Sequence, residues 1–474
     1  MPNKKIISLF LYLSFSLITN AADLQRGIDQ IVQPLLEWKP NSALIIGVID
    51  DGEQHIFSYG QISADNTQKP ATDTVFEIGS ITKVFTTILL SDMVLKNEVQ
   101  LDDPLQNFFP ASVTIPKKNN REITLLHLAR HTSGLPRLAH NMLFSDPENP
   151  YVDYTVEQLH EFLNNVTLES TPGQTYNYSN IGVGILGHVL GKAAGSTYEQ
   201  LLNDRIIHPL NMKSTGISIT DEIRPRLAPG HKTDGISASN WDFTDVYAGA
   251  GAIRSTLDDM MIFLKANMGL LETPLHDAME YSHSAHVADN YGSILLGWNV
   301  SPLQGNSYPM IWHNGQTGGY HSFLGFLRNS NDGVVILMNH AIFQVDEAGF
   351  NILRLLAGLT PGAIQIPEEP EEVSLDPSIL DRYTGEYQLS PELAPNLIVT
   401  IRNEDNQLTL QITGQERVGL FPESETTFFM KAVEAKVSFH QDEQGNITHL
   451  ILHQNGDHIG TRLSCINWLE MANN

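Results

Sequence analysis

The chain is poor in cysteine, in positive charge and in long apolar runs, and each shortage removes a class of function. Its single cysteine, Cys465, cannot close an intramolecular disulfide. An oxidising compartment is thus tolerated but not exploited, and Cys465 is expected to be a small buried apolar residue in a late strand. With 28 basic against 54 acidic residues the net charge is -26. Such a surface repels phosphate backbones and anionic membranes, so nucleic acid is not an expected partner. After the first residues no apolar stretch is long enough to span a bilayer. His127 and His131 lie four apart, but no His-Glu-x-x-His pattern or third ligand accompanies them. A structural role is expected for that pair, and no metal or other cofactor. A Gly-x-Ser-x-Gly elbow is also missing, which argues against an esterase of the α/β-hydrolase type.

The one marked apolar run comes at the start. Lys4 and Lys5 precede the apolar segment Ile6 to Ile18, and Thr19-Asn20-Ala21-Ala22 supplies small residues for cleavage. This pattern predicts a signal peptide over residues 1–22 and a periplasmic or secreted mature chain beginning near Ala22 or Asp23. No cysteine near the cleavage site could take a lipid, so no stable membrane anchor is expected.

Two patterns follow each other along the mature chain. Ala43 to Asp50 and Gln54 to Phe57 flank Asp51-Gly52, a hairpin signal. Ile123 to Pro136 reads as a short threonine-capped helix ended by Gly and Pro, and residues 155–212 read as mostly helical. Gly249 to Ala252 reads as a close-packed glycine stretch, followed by a serine N-cap at Ser255 with an acid three residues on. Strands return from His313 to Met338, and Asn351 to Gly358 reads as a closing helix. Strands, helical insertion, strands and helix make a mixed α/β core whose two ends share one sheet. Pro361-Gly362 and the acidic, proline-bearing run Pro367 to Glu372 predict an exposed linker over 361–375. From 376 to 474 roughly eight short strands separated by turns predict a small antiparallel barrel.

Three stretches carry chemistry. In Phe76-Glu77-Ile78-Gly79-Ser80-Ile81-Thr82-Lys83 a serine precedes a lysine by three residues, on one face of an expected helix. A serine needs an adjacent base to become a nucleophile, and burial together with nearby cations can hold a lysine neutral. The apolar run after Lys83 places it at the head of a buried helix. Tyr178-Ser179-Asn180 offers a phenol whose ionised form an ammonium would favour, and an amide able to donate and accept. Trp312-His313-Asn314-Gly315-Gln316-Thr317-Gly318-Gly319 sets a donor before small residues opening a strand, so that a substrate backbone can lie along the edge.

Together and in this order the three stretches resemble the serine β-lactamase and penicillin-binding-protein superfamily on its class C side, over about residues 25–358. The resemblance implies an antiparallel sheet flanked by helices plus an all-helical subdomain, within a hydrolase domain spanning 23–360. Ser80 would be the acylated nucleophile, with Lys83 and Tyr178 sharing the proton transfers. Asn180, His313, Asn314, Gly315 and Gln316 would bind substrate. The backbone N–H groups of Ser80 and Gln316 would form the oxyanion hole. The tail is similar to the lipocalin-like domain attached to some members.

Two positions depart from that pattern. His313 stands where many relatives carry lysine, and Gln344-Val345-Asp346-Glu347 stands where class C enzymes carry an arginine. Both changes count against efficient antibiotic hydrolysis and leave serine acyl transfer intact. The expected function is an exported serine hydrolase acting through a Ser80 acyl-enzyme on a β-lactam, amide or ester, a small-molecule or peptidoglycan-like substrate. D-amino-acid peptidase and carboxylesterase activities are alternatives within that chemistry. A non-catalytic penicillin-binding sensor, and a carrier using the barrel for an apolar ligand, are alternatives outside it.

Overall fold

The computed structural model describes residues 21–463 except 144, 285–293, 304–308, 368–369, 390–396, 414–416, 432–434 and 455. The expected signal peptide, apart from its last two residues, and Cys465 lie outside the described residues.

Asp51 and Gly52 both take left-handed backbone (φ 48° and 86°), the requirement of a two-residue hairpin loop. They join β1 (Ala43–Asp50) to β2 (Glu53–Gly60). Far along the chain come β3 (Asn299–Pro302), β4 (Pro309–Gln316), β5 (His321–Leu327) and β6 (Gly333–Met338). The six form one antiparallel sheet in the order β2-β1-β6-β5-β4-β3. Leu44 pairs with Met338, so the two ends of the hydrolase region meet in the middle of the sheet as expected.

Strand alternation divides the core in two. Leu44, Ile46 and Val48 join Val334, Ile336 and Met338 against helix α1 (Ala21–Trp38), whereas Ala43, Ile45 and Ile49 join Val335 and Leu337 on the opposite face. On that second side lie α2 (Thr82–Leu95), α3 (Leu125–Ala129), α4 (Asn180–Ala193), α5 (Asp245–Gly251) and α6 (Leu257–Asn267). Helix α7 (Gln344–Leu356) covers the α1 side. Glycines let α4 and α5 touch: a Cβ on Gly187 would lie 3.0 Å from the Gly249 Cα.

Three local expectations are corrected. The closing helix begins at Gln344 rather than Asn351, because Val345, Ala348 and Ile352 form an apolar face that continues through the earlier residues. The cap of α6 is Thr256, which accepts from Asp259 N; Ser255 lies in the short strand Arg254–Thr256 and bonds Thr215 Oγ1 at 2.7 Å. The segment expected to be an exposed linker docks at its start. Asn351 accepts from Gly362 N (2.7 Å) and donates to Gly362 O (3.0 Å), and Ile364 is buried in the α1-side core.

The tail is a closed eight-stranded antiparallel barrel, β7 (Gly385–Leu389), β8 (Ile398–Glu404), β9 (Gln407–Ile412), β10 (Arg417–Pro422), β11 (Thr427–Met430), β12 (Ala435–Gln441), β13 (Ile447–His453) and β14 (Asp457–Arg462). The first and last strands close it through Tyr387 opposite Arg462. Its interior holds Tyr383, Tyr387, Phe428 and Phe439 among aliphatic side chains, and Tyr387 Oη donates to the Tyr383 carbonyl at 2.7 Å. The interior is thus filled by the barrel's own side chains, in the manner of a small eight-stranded barrel, which counts against the carrier reading.

Candidate active site

Ser80 sits in a single turn, Gly79–Ile81, that leads directly into α2. Its hydroxyl oxygen lies 2.9 Å from Lys83 Nζ, one helical turn on. Lys83 has no exposed surface, and its Nζ also donates to the Ala250 carbonyl at 2.7 Å. Burial, reinforced by the guanidinium of Arg137, drives its pKa well below the ordinary lysine value. A neutral amine tethered through one N–H to Ala250 keeps its lone pair for the serine proton.

Tyr178 completes the group from the segment just before α4, its ring centroid 4.9 Å from Lys83 Nζ. Burial raises the phenol pKa, outweighing the opposing pull of the nearby Ser80 hydroxyl and of the Arg137 charge. The expectation of a phenolate favoured by an ammonium is therefore corrected. With Lys83 desolvated, both groups are held neutral.

Asn180 opens α4, donating from Nδ2 to Tyr151 Oη at 3.3 Å; its Oδ1 has no partner among the described residues. Ser179 caps the helix by accepting from Gly182 N. Across the cleft, Gly315 and Gly79 allow β4 to lie against the Ser80 turn. A Cβ on Gly315 would overlap the Ile78 carbonyl, and one on Gly79, at φ 49°, would lie 2.6 Å from Gln316 N. The Gln316 backbone is thereby brought beside Ser80.

His313 is buried at 3% exposure and within Coulomb range of Lys83. Burial, then Lys83, lowers its pKa to about 4, and its Nδ1 lies 2.6 Å from the Asn314 carbonyl. Asn314 alternates to the other face of β4, where its amide donates to Asp346 at 2.6 Å; His321 Nε2 reaches the same carboxylate at 2.8 Å. The structure thus gathers Ser80, Lys83, Tyr178, Asn180, His313, Gly315 and Gln316, and turns the Asn314 side chain toward α7.

Several residues of the site carried no sequence signal of their own. His131, expected to be structural, stacks on Tyr178 (centroids 4.4 Å apart) and accepts at Nδ1 from Ser179 N at 3.0 Å. It takes a left-handed φ of 56° just beyond α3, whose Thr124 cap with His127 was legible. Arg137 projects its guanidinium 5.2 Å from the Tyr178 centroid. Glu77 and Arg254 form a buried ion pair at 3.2 Å that also grips both backbone groups of Trp241. Among the described residues, no group of three or more His, Cys, Asp or Glu could hold a metal ion. No helix there is long and apolar enough to cross a membrane.

Comparison with known proteins agrees with this geometry. Residues 28–358 match the Beta-lactamase family, and residues 369–464 match a domain of unknown function, DUF3471. The D-alanyl-D-alanine-carboxypeptidase/endopeptidase AmpH of Escherichia coli (strain K12) is 28% identical over 314 residues, covering 62% of this chain and 78% of that protein. A Pseudomonas fluorescens beta-lactamase is 26% identical, covering 67% and 94%. Penicillin-binding protein 4* of Bacillus subtilis (strain 168) is 25% identical over 431 residues, covering 85% and 90%. Among solved structures, a class C beta-lactamase superposes with a TM-score of 0.61 at 22% identity over 70% of this chain and 96% of its own. The D-alanine carboxypeptidase AmpC from Burkholderia cenocepacia gives 0.59 at 25% identity over 70% and 99%. The chain belongs to the beta-lactamase family and is a serine hydrolase of the β-lactamase and penicillin-binding-protein group, class C-like in its hydrolase region.

Proposed function

We propose that the protein is an exported acyl-transfer hydrolase that cleaves amide or ester bonds through a Ser80 acyl-enzyme. The observation that carries this reading is the 2.9 Å approach of a fully buried Lys83 amine to Ser80 Oγ. In the proposed reaction Lys83 takes the Ser80 proton as Oγ bonds to the substrate carbonyl carbon. The backbone N–H groups of Ser80 and Gln316 hold the oxyanion. As the tetrahedral adduct collapses, the scissile bond breaks and the leaving group receives a proton through Tyr178. Water then attacks the ester, returning Ser80 and the acid product. Asn180, with one free acceptor, holds the acyl-side amide, and Gly315 gives clearance along β4.

A peptidoglycan-like D-amino-acid amide, or an ester, suits the site better than a β-lactam. The two side chains on β4 that would address an antibiotic carboxylate are a neutral His313 and an Asn314 bound to Asp346. The relatives named as carboxypeptidases support that choice. We place the signal peptide at residues 1–22, the hydrolase at 23–360, the linker at 361–375 and the barrel at 376–474, with Gly362 to Ile364 packed on the hydrolase.

Mass spectrometry after a fluorophosphonate probe and, separately, a penicillin tests the reading, with nitrocefin and p-nitrophenyl butyrate hydrolysis alongside. A Ser80 adduct and ester turnover, both lost in Ser80→Ala, are expected. Absence of any Ser80 adduct would sink it, and rapid nitrocefin turnover would move the protein to the β-lactamases.

A further inference from the structure

On the barrel strand β12, alternation sends Val437 and Phe439 into the core and Ser438 and His440 to the outer face. The neighbouring β13 does the same, with Leu450 and Leu452 inside and His449, Ile451 and His453 outside. Three of the outer side chains line up. His453 Nδ1 lies 2.7 Å from Asp457 Oδ1, at the start of β14, and His453 Nε2 lies 2.8 Å from Ser438 Oγ. An ionised carboxylate only accepts, so Nδ1 carries the hydrogen and Nε2 keeps its lone pair for the Ser438 hydroxyl. Asp457 thereby holds His453 in the tautomer that serves as a base for serine. With its hydrogen directed at His453, Ser438 Oγ accepts from its other neighbour, His440 Nε2, 3.3 Å away. That nitrogen is then an N–H donor beside the serine, where a carbonyl oxygen gaining charge needs one. Ser438 is partly buried, and its cross-strand neighbour Ile451, followed by Ile459 at 52% exposure, makes an apolar floor beside it.

We propose that Ser438 is a second nucleophile, acylated by activated esters such as aryl esters or thioesters of small apolar acids. His453 takes the Ser438 proton as Oγ bonds to the carbonyl carbon, and the His440 Nε2–H holds the oxyanion. As the adduct collapses, the bond from the carbonyl carbon to the leaving oxygen or sulfur breaks, and His453 passes the proton to that atom. A side-chain donor suffices for a good leaving group. The serine alkoxide is a poor one, so the acyl group remains on Ser438 and is taken up stoichiometrically. The site shares no residue with the Ser80 cleft, and the inference stands apart from the reading of Ser80.

Treatment of the full-length Ser80→Ala protein with p-nitrophenyl acetate tests it, with the acetyl group located by peptide mapping. Ser424, exposed on the same barrel with its Oγ accepting from Thr427 N at 3.0 Å, is the internal reference. Acetylation of Ser438 is expected to run about tenfold or more ahead of Ser424, with a burst of p-nitrophenolate that is lost in Ser438→Ala. His453→Ala should slow it about 10²-fold, and added imidazole should restore part of the rate. Asp457→Asn should slow it severalfold and Asp457→Glu recover part of that loss. A Ser438 rate no faster than that of Ser424, or one untouched by His453→Ala, overturns the proposal. Acetyl found on His453 or His440 in place of Ser438 does the same. Rescue by imidazole separates a missing base from a misfolded barrel, which added base does not repair. Should His453→Ala lose the barrel's melting transition, Asp457→Asn decides, because it changes only a side chain that is 71% exposed. Acetylation there at the parent rate overturns the assignment.

Discussion

Lys83 is subject to two effects with the same sign: loss of solvent, then the charge of Arg137, both disfavouring the ammonium. The active form at Ser80 is therefore the free amine, and kcat/KM should rise with pH along an acid limb set by Lys83 and then level off below the ordinary lysine value. Replacing Arg137 by Ala removes a repelling charge, stabilises the ammonium and moves that limb to higher pH. A pH profile on a neutral ester measures the shift, and a limb that stays put or moves to lower pH contradicts the account. Lys83→Ala should cost about 10²- to 10⁴-fold in the same assay, the usual range for a general base. At this scale the sequence was informative where chemistry repeats at fixed spacing. Ser80 and Lys83 are one turn apart, and Tyr178 and Asn180 are two residues apart. Arg137 and His131 were not legible as site residues, because nothing local distinguishes an arginine after a Gly-Leu-Pro turn, or a histidine at a helix end. Only the fold sets them over Tyr178. The phenolate expected at Tyr178 failed for a related reason, since charge pairing is visible in a sequence and desolvation is not.

Between elements, the approach of β4 to the Ser80 turn is the closest tolerance in the site. Gly315→Ala would drive a methyl group into the Ile78 carbonyl and to within 2.7 Å of Ser322 Oγ. Strand and turn must separate, and the Gln316 N–H moves off the oxyanion position. A displacement of about 1 Å costs on the order of 10²-fold, so fluorophosphonate labelling of Ser80 is expected to slow by about that factor. Labelling at the wild-type rate would show that the contact is slack. The hairpin at Asp51-Gly52 and the alternating strands β1 and β6 were readable, because turn chemistry and period-two burial are local. Helix α7 was read too short and the α6 cap one residue early. In both places the deciding partner is distant in sequence: the α1-side core for Val345, and Thr215 for Ser255.

Over the whole molecule, His127, His313 and His340 are each lowered to about 4, with burial the largest cause. Unfolded histidines titrate near 6.5, so the neutral folded form contributes stability that is present above that value and lost as pH falls toward 4, about 3 kcal/mol for each. Relief of self-repulsion in a chain of net charge -26 acts in the opposite direction, which makes a difference measurement the useful one. His340→Asn should flatten the dependence of the urea midpoint between pH 7 and 5 relative to wild type. A parallel dependence would mean that His340 titrates normally in the folded protein. The boundary of the hydrolase region gives the last expectation. The barrel has a core of its own, whereas the residues just after α7 still belong to the hydrolase through the Asn351–Gly362 pair and Ile364. Composition marked that stretch as linker because of Pro361-Gly362 and the acidic, proline-bearing run Pro367 to Glu372, and a single buried isoleucine does not register in a composition. A chain ended after Ile366 should keep the thermal stability of the hydrolase region. One ended at Thr360 loses an isoleucine side chain from the core and two hydrogen bonds, about 2–4 kcal/mol in all. Equal melting temperatures for the two truncations would place the true boundary at Thr360, and a large loss in both would mean that the barrel supports the hydrolase through contacts of its own.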